Sequence, residues 1–138
     1  MIDINKLAAK NLFSAILIDI VFVGCLLIGH YDVVSEFEYI GVAIGWVSIC
    51  LGLFLLIALP AHAHFYPSDM MDNPVTVLRS VGPDWYWITQ HTLSAITAAV
   101  AAWTGHIALA VLIGLIAFML PIAQDRALAE MGVPPRHG

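Results

Sequence analysis

Asp19 is the one charged side chain in the run Leu12–Ile28, LFSAILIDIVFVGCLLI. An ionised carboxylate in hydrocarbon costs about 2.5–3.5 kcal/mol on insertion scales. Such a residue faces a bundle interior, finds a partner or carries a proton. The best-embedded basic candidate is His91, within the apolar stretch 84–103. Asp19 lies about seven residues into its apolar segment and His91 about seven into its own, roughly 10 Å at 1.5 Å per residue. Matching depth predicts an approach between Asp19 and His91, with Gln90 or Thr92 nearby. The contact could fix helix register, or it could bind and release a proton. The spacing leaves both open.

Other ligating side chains are fewer. His62 and His64 form an HxH, followed by Asp69, Met70, Met71 and Asp72. Imidazoles and carboxylates suit Zn²⁺ or Cu²⁺, and an extended HxH would point both rings one way. On a helix the rings would diverge. No CxxC, HExxH or second HxH completes a metal set. Bis-histidine haem needs two rings at one depth. Only His91 is well embedded, while His30, His62, His64 and His106 fall near the segment ends. Ser14, Ser48 and Ser94 are embedded without a basic partner placed by any motif. Neither a Walker sequence nor a Rossmann fingerprint is present. The expectation is a chain without a resident cofactor and without a catalytic site.

These residues sit in an unusually apolar chain. Of 138 residues 61% are hydrophobic and 11% charged, with a mean hydropathy of +0.91. Soluble domains carry about 25% charged residues, and a chain this apolar would expose large adhesive patches in water. The bilayer is its natural solvent. The net charge of −5 offers no basic patch for nucleic acid. Cys25 and Cys50 both fall inside apolar runs and read as small hydrophobes rather than a disulfide framework.

Spanning a bilayer core takes about 20 helical residues. Four segments qualify, at about 11–29, 39–61, 84–103 and 105–123. The expected fold is an all-α integral membrane protein, residues 1–138 forming a single four-helix transmembrane domain. All five basic residues, Lys6, Lys10, Arg79, Arg126 and Arg136, then fall on one side. The positive-inside rule puts both termini in the cytoplasm, as in a multi-pass protein of a bacterial inner membrane. A cleaved signal at the N-terminus is disfavoured, because Asp19 interrupts its apolar core and Phe22 is a poor residue three before Cys25. In the loop 62–83, Asn73-Pro74 opens a short apolar-periodic run ended by Gly82-Pro83, which predicts a short surface helix.

Two helix faces look built for packing. Gly41, Gly45, Ser48 and Gly52 place small residues along the second span. In the third span His91, Ser94, Ala95, Ala98 and Ala102 share one stripe. That composition predicts either the most interior helix or a contact with a partner subunit.

Small size, short loops, packing faces and the lack of a catalytic motif point to a non-enzymatic subunit of a larger membrane assembly. Its expected partners are lipid and other membrane subunits or further copies of itself. A holin-like self-associating protein is an alternative, although the C-terminal tail carries few charges. A small proton-coupled transporter using Asp19 is another. An acidic residue in the first of four helices resembles the layout of the small multidrug resistance family. That resemblance is to the layout alone. Those proteins usually carry glutamate there, and many have little charge asymmetry, whereas this chain is strongly asymmetric.

Overall fold

The computed structural model describes residues 3–31, 33–66, 78–79 and 82–132. Among these residues the chain forms four long α-helices: α1 Ile4–His30, α2 Glu36–Phe65, α3 Asp84–Trp103 and α4 Ile107–Glu130. Three of them, α1, α2 and α4, are long and apolar enough to cross a membrane. The 20 residues of α3 reach about 30 Å. Its run Thr89-Gln90-His91-Thr92 leaves it less apolar than the others.

Three helices outrun the apolar segments that announce them. α1 begins at Ile4 rather than near residue 11, because the Asp3 carboxylate accepts the Asn5 and Lys6 backbone N–H groups at 3.1 and 3.3 Å. That cap satisfies orphan donors of the first turn, and residues 4–10 then extend the helix as a polar stem. α2 runs on through Pro60 to Phe65, and α4 through Pro121 to Glu130. Gly132 follows α4 with φ +75°, a left-handed conformation that glycine adopts without steric cost. The expected surface helix falls largely on residues outside those described. Leu78 and Arg79 are described, and both are helical.

α1 packs on α2 and α3, and α4 packs on the same two helices. At one end, Glu38 Oε1 meets His106 Nε2 at 3.0 Å and Trp103 Nε1 donates to Tyr31 Oη at 3.3 Å. At the other, His64 Nδ1 meets Glu130 Oε2 at 2.9 Å. These contacts make α1 parallel to α3 and α2 parallel to α4. The turns 31–35 and 104–106 lie at the first, hairpin end. Asp3 and Gly132 lie at the second, terminal end.

The glycines of α2 account for the close approach. A Cβ on Gly45 would stand 2.8 Å from Phe22 Cε2 of α1 and 3.2 Å from Leu109 Cδ2 of α4. One on Gly52 would stand 2.7 Å from Ile116 Cγ2 of α4. Gly41 serves α1 in the same way, 3.1 Å from Leu26. Ser48 lies off this contact, with its hydroxyl donating to the Ile44 carbonyl at 2.9 Å. Phe22, Leu26, Ile49, Ala101 and Leu109 close the core in the hairpin half of the bundle. The outer surface is apolar: Phe54 is 65% exposed, Ile57 76% and Phe118 72%. Exposure of that kind suits lipid or another protein, not water.

The small-residue stripe of α3 does not occupy the interior. Tyr86, Thr97 and Ala101 are its buried residues, while His91, Ala95 and Ala102 are exposed and Ala98 is half-buried. Most of the stripe therefore lies on the outer surface of the bundle.

Candidate functional site

The polar side chains of the bundle interior gather along α3, in two adjoining cavities. The inner one, about 120 Å³, is lined from all four helices. α1 supplies Asp19 and Phe22, α2 Gly45 and Ser48, α3 Ser94 and Thr97, and α4 Ile113. Gly45 opens this space by having no side chain. The Thr97 hydroxyl donates to the Leu93 carbonyl, as Ser48 does to Ile44. Such back-bonding satisfies the hydroxyl proton and leaves its oxygen lone pairs free to accept.

Asp19 has no hydrogen bond or ion pair to any of the described residues. It also borders a shallow groove between α1 and α3, whose lining is otherwise apolar apart from Thr97. Asp19 is thus a half-buried carboxylate without a partner among the described residues.

The second cavity, about 270 Å³, lies toward the terminal end between α2, α3 and α4. Tyr86, Trp87, Gln90, His91, Ser94 and Gln124 bring polar atoms to it, against Leu55, Leu59, Ala117 and Leu120. Gln90 Nε2 donates to Tyr86 Oη at 3.2 Å. On two of these residues a fully buried atom has no hydrogen-bond partner among the described residues: the Trp87 Nε1 donor and the Gln124 Oε1 acceptor. Gln124 is only 8% exposed. Pro121, also on the lining, has no N–H to offer the Ala117 carbonyl one helical turn earlier. Ser94 borders both cavities.

At the terminal end an ion pair stands beside this region. Arg79 Nε and Nη2 donate to the two Asp125 carboxylate oxygens at 2.7 and 2.9 Å. The guanidinium lies 5.2 Å from the centre of the Trp87 ring. This bidentate, stacked geometry uses what arginine offers and lysine does not. Trp87 and Gln124 lie in α3 and α4. Their shared cavity appears only once α3 and α4 are paired. The available signal was a glutamine three residues after a proline in an otherwise apolar helix.

His91 stands apart from Asp19. It lines the second cavity and an outer groove between α3 and α4, and no hydrogen bond or ion pair joins it to Asp19. Gln90 pairs with Tyr86, and the Thr92 hydroxyl donates to the Ile88 carbonyl at 2.8 Å. His62 and His64 lie on helix, about 200° apart around its axis at 3.6 residues per turn. His62 meets the Tyr66 ring edge to face and His64 pairs with Glu130. Among the described residues no three His, Cys, Asp or Glu side chains come together to hold a metal. Asp69 and Asp72 lie outside the described residues.

No protein-family model matches the chain, and no solved structure matches it. A partial likeness exists to cytochrome c oxidase subunit 2 of two lancelets. In both Branchiostoma floridae and Branchiostoma lanceolatum it is 36% identical over 47 residues, 34% of this chain and 20% of the relative. The chain thus spans about a fifth of the length of these curated relatives.

Proposed function

We propose that this chain is a non-enzymatic accessory subunit of a larger membrane assembly. α3 would span beside the three more apolar helices, and both termini would face the cytoplasm of a bacterial inner membrane. The observation that carries the reading is the outer groove between α3 and α4. Ala95, Ala98, Gly114 and Ala117 bring four small residues to it, beside His91 and Phe118. Nothing stands within 4 Å of a Cβ placed on Gly114. Small residues let helix backbones approach closely in a bilayer, where packing rather than hydrophobic exclusion drives association. A helix meant only for lipid gains nothing by leaving such a groove open.

The partial likeness supports the same class. The curated proteins that share the 47-residue stretch are, by name, subunits of an oxidase. The groove is equally open to a second copy, which is the holin-like alternative. Purification from native membranes in mild detergent, followed by mass measurement of the intact particle, separates the two. A particle of defined stoichiometry containing different polypeptides supports the accessory role. A particle built of this chain alone refutes it.

A further inference from the structure

We propose that the two cavities along α3 form a water-filled half-channel that carries protons between the terminal end of the bundle and Asp19. The inference stands independently of the subunit reading.

Three observations carry it. The first is the polar side of the second cavity, made by Tyr86, Gln90, His91 and Ser94. Buried polar atoms in folded proteins are satisfied by protein or by water. These side chains supply the two to four polar partners that water needs. At about 30 Å³ per molecule, 270 Å³ admits a chain of several waters.

The second is continuity. Ser94 borders both spaces, and beyond it the lining passes to Thr97, Ser48 and Asp19. The third is the stop. On the hairpin side of Asp19 the bundle closes with Phe22, Leu26 and Leu109, all 4% exposed or less. The polar lining therefore opens toward one end and is sealed by side chains toward the other.

The groups facing Asp19 are uncharged: Gly45 and Ser48 from α2, Ser94 and Thr97 from α3, Ile113 from α4. The titratable residues of the adjoining lining are Tyr86 and His91, and the Arg79–Asp125 pair stands at the terminal end. With no cation against it, the Asp19 carboxylate is balanced best by a proton delivered through water. The step is a simple transfer. A hydronium ion in the cavity gives its proton to a carboxylate oxygen, leaving a carboxylic acid and a water molecule, and the reverse step discharges it. Ser48, Ser94 and Thr97 hold the last waters and are positioning residues.

The test uses the full-length protein in sealed vesicles of known orientation, with Cys25→Ser and Cys50→Ser as background. Two probes are applied. Dicyclohexylcarbodiimide, which modifies protonated carboxyls in apolar surroundings, is read by peptide mass spectrometry. A charged, membrane-impermeant methanethiosulfonate is used against Ser94→Cys and Leu109→Cys, one at a time.

The proposal expects Asp19 to be labelled by the carbodiimide. Raising the pH on the terminal side from about 6 to about 9 should slow labelling at least tenfold, equivalent to about 1.4 kcal/mol. The same change on the hairpin side should leave the rate unaltered. Ser94→Cys should react from the terminal side alone and Leu109→Cys from neither. Retained helicity by circular dichroism qualifies each variant, and Thr97→Cys replaces Ser94→Cys if the latter misfolds. Equal sensitivity to pH on both sides, or a thiol at 94 or 97 inert from the terminal side, overturns the half-channel. Protection of Asp19 by sodium at constant pH overturns the assignment of the proton.

Discussion

Breaking the Arg79–Asp125 pair should loosen the terminal end of the bundle by a measurable amount. Arg79 belongs to the connection between α2 and α3, Asp125 to α4, and Trp87, under the guanidinium, to α3. The Arg79 side chain is 13% exposed and that of Asp125 35%. Hydrogen bonds to charged groups contribute about 1.5–3 kcal/mol net, while open surface pairs contribute about 0–1 kcal/mol. With one partner mostly buried and the other a third exposed, a coupling of about 1–2 kcal/mol is expected. A double-mutant cycle on Arg79→Met and Asp125→Leu measures it directly. Asp125→Leu alone should cost more than the double change, because it leaves the guanidinium half-buried without its anion. The assay is equilibrium unfolding in mixed micelles, followed by tryptophan fluorescence. Additivity within about 0.3 kcal/mol would refute the reasoning, since it would mean that water serves each charge as well as its partner does.

Further outcomes follow from the packing and from Asp19. Gly45→Leu should force apart α1, α2 and α4, because even its Cβ would stand 2.8 Å from Phe22. Overpacking of this kind costs about 1–3 kcal/mol, seen as a lower melting temperature in detergent, and an unchanged melt contradicts the close approach. Gly29→Ala should be destabilising as well, since its Cβ would collide with the backbone of Glu38 at the α1–α2 turn. Asp19→Asn should leave the fold intact or slightly more stable, because no protein partner is lost and a charge is removed from the span. A clear loss of thermal stability in Asp19→Asn would show that Asp19 is a structural contact.

The legible part of the fold was the part written in composition. Apolar runs announced the helices, and the glycines of α2 could be recognised as small positions before their neighbours were known. Helix ends were less legible. Hydropathy senses the membrane boundary, whereas the Asp3 cap and the stem 4–10 obey water and backbone hydrogen bonding. Depth was also easier to read than direction. Asp19 and His91 sit at comparable distances along their segments, but contact depends on rotation about two helix axes. The buried face of α3 is set by Tyr86, Thr97 and Ala101, which turns His91 outward. The second cavity was invisible for a related reason: Trp87 and Gln124 are 37 positions apart and meet only through the α3–α4 hairpin.

The accessory role is tested most directly at Ala95, an exposed small residue lining the α3–α4 groove. A benzophenone side chain placed there by Ala95→p-benzoylphenylalanine, and at Phe54 as a comparison, can be photolysed in native membranes. The account predicts one stoichiometric crosslink from position 95 to a different membrane polypeptide, and none of comparable yield from position 54. A crosslink from position 95 to a second copy of this chain, or to lipid alone, would contradict it.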